Sequence, residues 1–189
     1  MVWLWWAMNR FLAMALVLCL PVAYLSAGSG DPAKAAAKPE PKTKDLGSAK
    51  DWSAYVAGEK PALICYVVGH PSKSLPAKVT RGRIALQVTH RPAEKAFNVV
   101  SFELGYTAKP GSSADLEVDG KKFSLFTNKD AAWTPDAASD KAVTTALEKG
   151  HSAILKATSD HGTQTTDTYT LDGFAHVLGL ADKACNVKR

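Results

Sequence analysis

Cysteine is scarce in this chain: its 189 residues hold three, Cys19, Cys65 and Cys185. None lies in the Cys-x-x-Cys spacing that lowers a thiol pKa for redox catalysis. Neither a Gly-x-Ser-x-Gly elbow nor a His-Glu-x-x-His helix occurs, so two portable patterns of hydrolases and metalloproteases are missing. The five histidines, at 70, 90, 151, 161 and 176, show no paired ligand spacing, and no metal or other cofactor is expected. Aromatic residues make up only 8% and the formal net charge is +5. That balance lacks the concentrated basic arm of a nucleic-acid binder, which removes nucleic acid from the expected partners.

Long apolar runs are confined to the beginning. After Met8-Asn9-Arg10, residues 11–27 carry no charge, and Gly28-Ser29-Gly30 follows. This positive, apolar, small-residue order is that of a secretory signal. We expect residues 1–27 to be a signal peptide cleaved after Ala27, which sends the mature chain, without a transmembrane segment, to the periplasm or cell envelope. An uncleaved anchor is the alternative, but the run falls short of the roughly 20 residues of a bilayer span and contains Pro21. Trp3, Trp5 and Trp6 precede Arg10, which leaves Met8 as a second candidate start. Cys19 follows Leu18 rather than a small residue, so no lipid anchor is expected. Residues 28–50 are dominated by Ala, Lys, Pro, Gly and Ser, with Leu46 the only large apolar side chain. Such a segment buries too little surface to offset its ordering entropy and reads as a disordered linker.

Residues 51–189 then form the folded domain, and their dominant pattern is alternation. Ile84, Leu86 and Val88 alternate with Ala85, Gln87 and Thr89; Val100, Phe102, Leu104 and Tyr106 alternate with Ser101, Glu103 and Gly105. Each reads as a strand with one buried face. Leu116 and Val118 lead into Asp119-Gly120, and Phe123 and Leu125 follow, the pattern of a two-residue type I′ hairpin pairing Leu116 with Phe123 and Glu117 with Lys122. Residues 163–171 give a further strand, with Gln164, Thr166, Thr168 and Thr170 on one face and Asp167, Tyr169 and Leu171 on the other. Segments at 52–57, 62–68 and 152–158 raise the expected count to seven or eight strands. Two helices interrupt them. One has Thr134 as N-cap, Pro135 at its first position and Asp136 in its first turn, and ends at Lys149-Gly150. The other starts at Asp172 and places Phe174, Val177, Leu178, Ala181 and Cys185 on one stripe. The expected fold is mainly β, an antiparallel sandwich or barrel-like domain with two short helices, the second at the C-terminus.

In an exported protein the even pair Cys65 and Cys185 reads as a disulfide, with two separately buried thiols as the alternative. Ser159-Asp160-His161 holds the three residue types of a hydrolytic triad, but triads are assembled from separate segments, and this tripeptide reads as the turn between two strands. Lys73, Lys78, Arg81, Arg83, Arg91 and Lys95 form the candidate binding group, because no acidic residue occurs between Val67 and Ala93. A local basic surface of this kind attracts anionic glycan, lipid or protein. The competing reading is a solvated sheet edge whose lysines block edge-to-edge pairing.

Taken together, Cys65-Tyr66, Pro71, Pro76, the stretch His90-Arg91-Pro92-Ala93-Glu94-Lys95 with Asn98, Gly105-Tyr106, Val118-Asp119-Gly120-Lys121-Lys122-Phe123, Ala131-Ala132-Trp133, Gly162-Thr163 through Asp167 and Tyr169, Gly173 and Cys185 resemble the invasion-associated locus B family of alpha-proteobacteria. The chain departs from that pattern at His161, where Arg would be expected. The resemblance implies an exported, non-enzymatic protein of the periplasm or cell surface, a binding or structural module for an envelope or host-surface component. It also implies a role in host-cell entry or, in a free-living bacterium, in envelope maintenance. The competing class is an envelope hydrolase. It would need a cleft with convergent titratable groups, for which Glu103, Asp115, Asp160 and Asp167 are the candidate acids. Asp167 shares its strand face with Tyr169 and must be hydrogen-bonded or paired if buried: a partner Arg or backbone donors would make it structural, an open cleft shared with Glu103 or His90 catalytic.

Overall fold

A computed structural model of the chain describes residues 42–188. It contains eleven strands, β1 (Thr43–Ala49), β2 (Trp52–Ala57), β3 (Ile64–Gly69), β4 (Lys73–Leu75), β5 (Ala85–Arg91), β6 (Ala96–Glu103), β7 (Ser113–Val118), β8 (Lys121–Asn128), β9 (Ala131–Trp133), β10 (Ser152–Thr158) and β11 (Gln164–Thr170), with helices α1 (Ala137–Lys149) and α2 (Phe174–Cys185). The expected class is right and the expected count of seven or eight strands is low by three or four. All eight strands read from the alternation are present, and β1, β4 and β9 are additional. They form one sheet in the order β1-β2-β3-β5-β6-β9-β8-β7-β10-β11-β4, every named pairing antiparallel.

The sheet folds over on itself so that inward-facing side chains of its two halves meet. Phe102 of β6 packs edge-on against Tyr169 of β11 with ring centroids 5.9 Å apart. Trp52 of β2 meets Phe174 of α2 at 4.7 Å, and its indole Nε1–H donates to the Thr170 carbonyl at 2.9 Å. The Trp52 ring lies directly over Gly69, where an added Cβ would come within 2.5 Å of it. Only a residue without a side chain fits beneath the indole. α2 lines the inner face of β1, β2 and β3, with Phe174, Val177, Leu178, Ala181 and Cys185 buried, the stripe expected from its spacing.

Cys65 of β3 and Cys185 of α2 are joined by a disulfide, with Cα atoms 5.9 Å apart. The Asp119-Gly120 hairpin has both turn residues at positive φ, 45° and 87°, as a type I′ turn requires. It pairs Leu116 with Phe123 and Glu117 with Lys122, as the alternation predicts.

Two expectations need correction. The linker expected over 28–50 does not reach Lys50, because Thr43–Ala49 is a strand paired along β2. Leu46 and Ala49 pack against the core from it, and β2 supplies the backbone partners that the composition of the segment could not reveal. The rest of the expected linker, like the signal peptide expected over 1–27, lies outside the described residues. The N-cap of α1 is Asp136, whose carboxylate accepts from the Ser139 N–H at 2.7 Å, not Thr134.

Thr134 is buried and donates to the Asp140 carboxylate instead. The reason lies in β6. Strand β9 covers only Ser101–Glu103 of it, so the first half of β6 has an unpaired edge. Side chains of α1 satisfy that edge: Asp140 accepts from the Val100 N–H at 2.8 Å, and Thr144 Oγ1 donates to the Asn98 carbonyl at 3.3 Å. A buried backbone group without a partner is costly, and the helix is held where it supplies one.

Candidate functional site

The six basic residues do not form one surface. Arg83 and Arg91 flank β5 at opposite ends, which separates them by roughly 26 Å of extended chain. Arg91 and Lys95 lie at the turn into β6, and Lys95 closes a short 3-10 turn at Pro92–Glu94. Lys73 is on β4, the last strand in the sheet order, where an exposed lysine discourages pairing with another chain; Lys78 is exposed in the following loop.

Arg81 is not on the surface at all, and its place in the group is corrected. Its side chain is 4% exposed and that of Asp167 is fully buried. The two form a bidentate pair, Nη1 to Oδ1 and Nη2 to Oδ2, both at 2.7 Å. Arg81 Nε and Nη2 also donate to the Leu104 carbonyl at 3.0 and 2.6 Å. Its guanidinium carbon lies 4.9 Å from the centre of the Tyr106 ring, and the Tyr106 hydroxyl is 2.6 Å from Thr165 Oγ1. Burial pushes the Tyr106 hydroxyl above its ordinary pKa of 10.0. A planar fork matched to a carboxylate, with its remaining donors on a carbonyl, leaves no reactive valence open. Asp167 is therefore a framework residue joining β11 to the loop before β5.

The other acids are also accounted for. Asp160 and His161 occupy the β10–β11 turn 3.7 Å apart, with the His161 side chain 90% exposed. Ser159 is buried there, its Oγ accepting from the Thr163 N–H, so the tripeptide is the turn that its composition indicated. Glu103 accepts from Gln87 Nε2 at 2.7 Å and pairs with Arg83, while Asp115 stands exposed on β7. His90 is buried; its Nδ1 accepts from the Asn98 N–H at 3.1 Å, and its Nε2 faces Asp182 Oδ1 at 3.1 Å. No group of three or more His, Cys, Asp or Glu able to hold a metal occurs among the described residues.

What the fold does assemble is a groove on the outer face of β2 and β3. With Trp52, Ala54, Cys65 and Val67 pointing inward, alternation sends Ser53, Tyr55, Tyr66 and Val68 outward. The register sets Tyr55 opposite Tyr66 and Ser53 opposite Val68. The two tyrosine rings stack with centroids 5.4 Å apart at 28° and are half-buried. Together with Asp51, His70 and Arg83 these residues line a groove of about 450 Å³.

Its polar groups are held by neighbours. Arg83 Nε donates to Glu103 Oε2 at 3.0 Å, His70 Nδ1 donates to the Ile84 carbonyl at 2.9 Å, and Asp51 accepts from Thr170 Oγ1 at 2.9 Å. The arrangement offers two aromatic rings, a cation paired with Glu103 and hydrogen-bonding groups held by neighbours, a composition suited to ligand contact. Of the candidate group only Arg83 belongs to it. Sequence reasoning missed Tyr55, Tyr66 and His70, whose one trace is the alternation Trp52, Ala54 against Ser53, Tyr55.

The family described as Invasion associated locus B (IalB) protein matches residues 52–181, from β2 to the last turns of α2. No curated protein matches the chain, and no solved structure does. The residues behind the resemblance fall on architectural points: Cys65 on the disulfide, His90 and Asn98 on the β5–β6 irregularity, and Tyr106 and Asp167 on the buried arginine.

Proposed function

Because the chain belongs to the invasion-associated locus B family, we propose that it is an exported, non-enzymatic module of the cell envelope that binds a surface polymer through the open face of β2 and β3. The family is not known as one of enzymes. Export is supported by the signal-like order of residues 8–30 and by the Cys65–Cys185 bond, which suits an oxidising compartment. The observation that carries the binding reading is the groove, where stacked Tyr55 and Tyr66 stand beside a guanidinium and an imidazole each fixed by a second residue. Side chains already held in place lose little entropy when a ligand arrives. The partner that fits is an envelope or host-surface polysaccharide with hydroxyl and acidic groups; a host-surface polymer would make the protein an aid to cell entry.

The test is retention of the purified full chain on envelope and host-cell polysaccharide fractions. Tyr55→Ala with Tyr66→Ala, and separately Arg83→Gln, should each weaken retention about tenfold or more, equivalent to at least 1.4 kcal/mol. Lys73→Glu with Lys78→Glu should leave retention nearly unchanged. Loss in the lysine variant with retention in the tyrosine variant would overturn the groove as the contact surface.

A further inference from the structure

We propose that a second site, at the opposite end of β5 from Arg83, binds a small hydroxylated organic anion of the sugar-acid or sugar-phosphate class. It lies where α1, the start of β6 and the segment after α2 converge, and encloses about 540 Å³, within the range of small-molecule sites. None of its lining residues belongs to the groove on β2 and β3, so it stands or falls independently of that reading.

Two features of the cavity specify the ligand. The first is charge: Lys141 and Lys149 of α1 and Lys188 after α2 line it against the single carboxylate of Glu148. None of the three lysines forms an ion pair among the described residues, so their field is left for an anion. The second is an apolar wall, Phe97 and Val187, with Phe97 37% exposed and thus open to the flat carbon face of a ring.

Cations beside an apolar wall match a ligand that carries an acid group and a ring with an apolar carbon face, as a sugar acid or sugar phosphate does.

The experiment is a titration of the isotopically labelled full chain, following the amide resonances of Phe97 and Val187, with glucuronate, glucose 6-phosphate, glucose and inorganic phosphate as probes. Saturable shifts are expected with one or both of the acids, the responding acid identifying the anionic group. Glucose and phosphate alone should bind about tenfold more weakly or worse. Added salt should weaken the acids, because partly exposed charges are screened beyond about 8 Å at physiological ionic strength.

Lys141→Gln with Lys149→Gln should reduce binding about tenfold at an unchanged melting temperature. Lys188→Gln, outside either helix, repeats the test should α1 be perturbed, and Tyr55→Ala with Tyr66→Ala should leave binding intact. Equal response to inorganic phosphate would reduce the site to a bare anion trap, and equal response to glucose would make the lysines idle. No shift at Phe97 or Val187, or loss of binding in the tyrosine variant, would remove the site. Each of these overturns the proposal.

Discussion

The inward direction of Asp167 was legible from the alternation of β11, and so was the need for a partner. The partner was not, because Arg81 lies 86 positions away in a loop where it reads as one more surface cation. Removing one member of a buried pair leaves the other charge unpaired, so Arg81→Ala is expected to cost about 3 to 5 kcal/mol. Arg81→Lys should recover only part of it, since an ammonium cannot span both carboxylate oxygens and the Leu104 carbonyl. Urea unfolding of the three proteins checks this; a loss below 1 kcal/mol on the scale of exposed pairs would show that the pair contributes little.

Asp140 makes a pH prediction. Burial raises its carboxyl above the ordinary 3.8, against the lowering effect of its bonds to Thr134 and Val100. Between the unfolded and folded values the native state binds more protons, so this group's contribution falls as pH rises through that window. Asp140→Asn, which still accepts from Val100, should therefore gain on the parent protein as pH is raised from about 3.9 upward. A stability difference that stays constant with pH would contradict the assignment.

Among the elements, those with long alternating faces were readable and those held by a neighbour were not. The β7–β8 hairpin followed from Asp119-Gly120 and its flanking apolar residues. Strands β4 and β9 are three residues each, too short to display a period. β1 has the composition of a linker and becomes a strand because β2 offers it a ladder and α2 a surface: the Leu180 side chain lies within 3.0 Å of where a Gly47 Cβ would be. The helix start was misplaced by two residues because Thr134 has the chemistry of a cap but is used to hold Asp140. Deleting residues 43–49 should expose the outer edge of β2 and lower the melting temperature by several degrees, on the scale of about 1 kcal/mol per 2 to 8 °C. An unchanged temperature would mean that β1 adds nothing to the fold.

For the whole molecule, fold class and family were within reach of the sequence, while the sheet order was not. β4 leaves β3 to pair with β11 at the far edge, and the chain returns to place β5 beside β3. Such crossings depend on packing between residues far apart in sequence, as with Trp52 and the Thr170 carbonyl, 118 positions apart. The disulfide ties β3 to α2 through cysteines separated by 120 residues. The chain-entropy estimate for so large a loop is about 4 to 5 kcal/mol. Unfolding with and without reductant should differ by up to that amount, and Cys65→Ala with Cys185→Ala should match the reduced protein. Equal stability in both conditions would show the bond to be energetically silent.

The position of those cysteines also bears on synthesis. Cys65 leaves the ribosome 120 residues ahead of Cys185, and within the described residues it has no other cysteine to meet. The bond therefore closes only after α2 has been made, and a product that lacks both that helix and Cys19 keeps a free Cys65 thiol. In chains cleaved after Ala27, which lack Cys19, oxidation reports completion: a thiol-reactive label applied to newly made protein would mark unfinished chains and pass over finished ones.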